Sequence, residues 1–186
     1  GGYHLLYSTR NYLKQQKKKF NSGRADMDWE LNLWKAIIKK AATGISINQI
    51  LDRIPDLCLI TDASKEALEG YWTNGLAFRL IIEGTPFEDL DINELKLLAI
   101  IIGLKELMIH LDIKGLAIQV YGENATSIAW LKSATRGNTA SKFIACHLGE
   151  IMAEQNINLH GWHIKGDDNW LADQISRNKS LSNKDL

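Results

Sequence analysis

Three carboxylates fall where the residue pattern changes character. Asp62 closes the apolar run Leu57-Cys58-Leu59-Ile60-Thr61. Glu123 follows Ile118-Gln119-Val120-Tyr121. Asp173 sits among Leu171, Ala172 and Ile175 on a segment with helical spacing. A short apolar run led in by Pro55 reads as a strand buried on both faces, and an unpaired carboxylate in such a setting loses several kcal/mol or takes up a proton. Asp62 therefore either caps a turn or belongs to a polar site at the strand's end, and Glu123 either stabilises a helix start or joins that site. Two strands ending in acids, with a third acid on a packed helix, is a layout that binds divalent metal, since Mg²⁺ takes hard oxygen ligands and keeps several waters. Two such ions about 3.5–4 Å apart clamp the attacking water and the leaving oxygen of a phosphodiester.

The elements that must position these acids follow from patterning. Leu68–Thr73 and Leu76–Ile82, joined by Asn74-Gly75, read as a hairpin. With the strand ending at Asp62 they make three antiparallel strands. Residues 91–111 read as a long apolar helix, 116–121 as a fourth strand, 123–134 and 139–155 as helices, 158–164 as a fifth strand and 168–178 as a last helix. This order predicts an α/β fold: a five-stranded mixed sheet, three antiparallel strands first, flanked by helices. On the long helix Lys96, Ala99 and Gly103 share one face, and the small residues let it approach the sheet. Glu94 is two residues from Lys96 and points about 200° away. Asn93 is a candidate cap for this helix. Trp34, Trp72 and Trp162 are expected in packing positions.

The 186 residues carry no net charge, yet residues 1–55 hold ten Lys/Arg against four Asp/Glu and residues 56–186 hold twelve against eighteen. A basic front on an acidic back divides the chain into a helical, basic N-terminal extension (1–55), a main domain (56–178) and a polar tail (179–186). Cys58 and Cys146 lie in apolar contexts and read as buried thiols, which suits an intracellular, reducing compartment and excludes a disulfide framework. No stretch is long and apolar enough to span a membrane.

Element order and motifs together resemble ribonuclease H, and in detail the RNase H-like regions of retroelement polymerases of the DIRS (tyrosine-recombinase) type. The likeness runs through Gly44-Ile45-Ser46-Ile47-Asn48, Arg53, Pro55, Thr61-Asp62-Ala63, Gly70-Tyr71 and Ala125-Thr126-Ser127 to Trp130-Leu131. Its most specific part is His163-Ile164-Lys165-Gly166-Asp167-Asp168-Asn169 with Ala172-Asp173 and Ser176-Arg177, a closing motif shared with gypsy-type polymerases. The resemblance implies an RNase H-like fold, RNA/DNA hybrid as partner, the rest of a retroelement polymerase as a second partner, and Mg²⁺ or Mn²⁺ as cofactor if the site is active. It implies catalytic and metal-ligating roles for Asp62, Glu123 and Asp173, and substrate contacts from Asn93, Ser64 and Asn124. The family uses four carboxylates. Lys96 stands where the resemblance expects the second, with Glu94 as its rival, and Glu123 stands where the family has Asp. An ammonium at 96 would replace a metal's charge and repel the metal, so the expectation is a hybrid-binding domain with a degraded site and weak or no nuclease activity. The alternatives are an active Mg-dependent ribonuclease H and a domesticated protein-interaction module.

Overall fold

The computed structural model describes residues 53–132 and 139–165, together with Leu31, Trp34, Lys35, Ile38, Lys39, Ala42 and Gly44. The expected helix over 168–178, and with it Asp173, lies outside the described residues, as does most of the N-terminal extension. The chain divides into two units, Gly1–Ser46 and Ile47–Leu186. In the first, Leu31, Trp34, Lys35, Ile38 and Lys39 are helical and exposed.

The second unit holds the sheet. Strands β1 (Leu57–Ala63), β2 (Ala67–Trp72) and β3 (Ala77–Ile81) form an antiparallel meander. Helix α1 (Ile92–His110) then leads to β4 (Ala117–Gly122), which lies parallel to β1. Helices α2 (Ala125–Lys132) and α3 (Thr139–Gln155) lead to β5 (Asn158–His163), parallel to β4. The order across the sheet is β3-β2-β1-β4-β5, the mixed five-stranded sheet that the element order predicts. Because β1 is central and enclosed by β2 and β4, its end is where loops from both halves of the chain converge.

The β2–β3 connection is longer than Asn74-Gly75 alone implies. Thr73 continues the pairing with β1, its N–H donating to Cys58 O (3.0 Å) and its Oγ1 accepting from Cys58 N (3.1 Å), and with Asn74 and Gly75 it makes up a three-residue turn toward β3. Trp72 N then bonds Leu76 O, and the pairing shifts by one residue, setting Arg79 rather than Leu80 opposite Glu69.

Helix α1 is the core element. Leu95, Leu97 to Ile102, Gly103, Leu104 and Leu107 are all buried. A Cβ at Gly103 would meet Leu59 Cδ2 and Phe78 Cε1 at 3.0 Å, so the bare backbone lets the helix lie close on β1 and β3. A capping box starts the helix at Asp91, not Asn93. Asp91 Oδ1 accepts from Asn93 N (2.8 Å) and Glu94 N (2.9 Å), and Glu94 Oε2 accepts from Asp91 N (2.9 Å). Helix α2 starts at Ala125, so Glu123 precedes it and Asn124 caps it. Trp72 is buried as expected, whereas Trp34 and Trp162 are exposed. Trp162 is the second-last residue of edge strand β5, where pairing covers one side only.

Candidate active site and nucleic-acid interface

The parallel register sets Thr61 beside Gly122, so Asp62, still paired with Glu69 in β1, and Glu123, the first residue past β4, lie at the same end of the two strands. Lys96 reaches that end from the first turns of α1. Its Nζ lies 2.9 Å from Asp62 Oδ1, an ion pair without an aligned hydrogen bond, with both side chains about four-fifths buried. Two unit charges this close are worth about 4 kcal/mol or more at an effective dielectric near 20, before desolvation is subtracted. Glu94 is turned away and buried, and its Oε2 is taken up by the capping box. Glu123 is half-buried. Among the described residues no three His, Cys, Asp or Glu side chains are grouped to hold a metal ion, and Asp62 already faces a cation. The described residues alone do not fit a metal centre.

A second pair of charges continues the first. Glu69 lies directly opposite Asp62 on β2, and Arg79 directly opposite Glu69 on β3. Directly paired residues share one face of the sheet. Arg79 Nε is 3.4 Å from Glu69 Oε1, and Glu69 is 1% exposed. Burial pushes the Glu69 carboxyl up to about 6; Arg79 pulls it down, and the charges of Asp62 and Glu66 push it further up. Lys96, Asp62, Glu69 and Arg79 thus form a row of two outer cations and two inner carboxylates. Glu69 and Arg79 escape sequence reading. Their register depends on the turn taking in Thr73, and a one-residue slip carries Arg79 to the other face. The signal present was two charges inside otherwise apolar strands.

The three expected substrate contacts divide. Ser64 is engaged in its own turn, with Oγ accepting from Glu66 N (3.2 Å) and Ala67 N (3.1 Å). Asn93 and Asn124 come together: Asn124 Nδ2 donates to Asn93 Oδ1 (2.7 Å) while Asn124 Oδ1 accepts from Ser127 N (2.8 Å). This joins the first turns of α1 and α2 at the edge where Asp62 and Glu123 emerge.

The structure is similar to an RNase H1 isolated from compost by a metagenomic approach, with a TM-score of 0.50, 16% identity, and coverage of 66% of this chain and 93% of that one. An RNase H1 from the halophilic archaeon Halobacterium salinarum NRC-1 aligns with a TM-score of 0.42 and 15% identity, over 63% of this chain and 92% of that one. No protein-family model matches the sequence, and no curated protein matches it. Sheet order and the likeness to the compost protein define an RNase H-like fold.

Proposed function

We propose that this domain binds RNA/DNA hybrid on an RNase H-like scaffold and has weak or no nuclease activity. The observation that carries the reading is the 2.9 Å contact between Lys96 and Asp62, because a fixed ammonium supplies charge where a divalent ion would otherwise bind. The compost RNase H1, through its fold, supports hybrid as the ligand class. The run from Thr61-Asp62-Ala63 to the closing motif at 163–177 supports descent from a retroelement polymerase of the DIRS type. Asp62, Glu123 and Asp173 are the residues proposed to remain of the acidic site.

The test is a labelled hybrid incubated with the protein in Mg²⁺ and in Mn²⁺. The unmodified protein is expected to bind with marked salt dependence and to leave the RNA strand intact. Lys96→Glu combined with Glu123→Asp is expected to gain cleavage. Cleavage by the unmodified protein overturns the degraded-site reading, and absence of any hybrid binding overturns the ligand class.

A further inference from the structure

The two asparagines at the site edge differ in what their amides can still do. Ser127 N is a backbone N–H and can only donate, so the Asn124 atom facing it at 2.8 Å is the oxygen. The other end of the Asn124 amide is then an NH₂ donor, and the Asn93 atom facing it at 2.7 Å must be an acceptor, Oδ1. The orientation of both side chains is therefore fixed by one backbone group, not by free choice of rotamer. Each end of the Asn124 amide makes one hydrogen bond. Asn93 is half-buried, and among the described residues none accepts from its Nδ2.

We infer that Asn124 is a positioning residue that holds the Asn93 amide with its oxygen turned toward Asn124 and both hydrogens of its NH₂ left for a ligand, so that Asn93 presents a donor to hydrogen-bond acceptors. This rests on the nucleic-acid-binding reading above. The shared ligand chemistry is an acceptor atom. In a hybrid it comes either from a base edge in the minor groove or from a backbone phosphate oxygen.

The discriminating substitution is Asn124→Asp. Aspartate caps α2 as well as asparagine does, but its carboxylate only accepts, so it turns the Asn93 NH₂ inward and takes one of its two hydrogens while the Asn93 oxygen turns outward. Hybrid affinity is expected to fall about 2- to 10-fold, the range for losing one hydrogen bond, with the melting temperature unchanged. Added negative charge alone could also weaken binding, so the same substitution is made in the Asn93→Ala background. If Asn124 acts through Asn93, the loss disappears there; persistence of the full loss overturns the inference. Hybrids with 3-deazaadenine or with methylphosphonate linkages separate the two acceptor sources. A penalty from either, abolished by Asn93→Ala, supports the inference, and indifference to both overturns it. Orientation is read without any ligand by the scalar coupling across the hydrogen bond from Asn124 Nδ2 to the Asn93 side-chain carbonyl. Its absence in the unmodified protein overturns the inference. Its presence without hybrid binding removes the ligand class and leaves the lock standing.

Discussion

Lys96 and Glu69 carry the residue-scale consequences. Replacing Lys96 with Met leaves Asp62 facing Glu69, with Arg79 the one cation left in the row. Stability is expected to fall by about 1–3 kcal/mol in urea unfolding. Part of that loss should return when Glu69→Gln is added, because the repulsion then has one member fewer. Glu69 also makes stability depend on pH. Its carboxyl is pushed from an ordinary 4.5 up to about 6, so the folded chain binds that proton more tightly than the unfolded chain does. The contribution is fully present below about 4.5 and is lost as pH rises through about 6; it amounts to at most about 2 kcal/mol. Unfolding free energies measured from pH 4.5 to 7.5 should show this falling component, and Glu69→Gln should remove it.

At the scale of elements, close approach of backbone to side chain decides which substitutions are tolerated. A Cβ at Gly70 would sit 2.6 Å from Phe78 Cε1 and 2.7 Å from Ile60 O, and the latter is backbone of the central strand. Gly70→Ala is expected to cost about 3 kcal/mol or more in thermal or urea unfolding. Gly103→Ala meets only side-chain atoms at 3.0 Å and gains helix propensity, so its net cost should stay near 1 kcal/mol. The sequence made most elements legible because their signals are local. A short apolar run led in by Pro55 marks the first strand, helical spacing puts Lys96, Ala99 and Gly103 on one face, and an Asn-Gly pair marks the hairpin. What stayed hidden depends on register and caps. Asp91 rather than Asn93 starts α1, since the box needs Glu94 three residues on. Glu69 meets Arg79 only because the turn takes in Thr73 and sets Trp72 opposite Leu76. The family resemblance named Asn124 as a substrate contact, but its hydrogen bond to Asn93 spans 31 residues, joins the starts of two helices and has no sequence periodicity behind it.

For the whole molecule, the charge step at 55/56 and the division at 46/47 differ, and the hydrogen bonds explain why. Asp56 N donates to Ala117 O and Asp56 Oδ2 accepts from Ala117 N, both at 2.8 Å. Arg53 donates to Gly115 O at 3.2 Å and pairs with Asp56 at 3.4 Å. The lead-in to β1 is thereby tied to β4, although its charge resembles the front of the chain. A fragment starting at Ile47 is expected to keep the cooperative unfolding of the sheet. One starting at Leu57 should melt lower, having lost both Asp56 bonds, at roughly 1 kcal/mol each. Calorimetry of the two fragments checks this.

The row from Lys96 to Arg79 also constrains the order in which this chain could change over generations. A lone switch of Lys96 to an acid would crowd a third carboxylate against Asp62 and the buried Glu69 before any ion arrived to offset them. Losing Glu69 first is the gentler route, so an exchange of Lys96 for an acid is expected to be better tolerated once β2 has given up its buried charge.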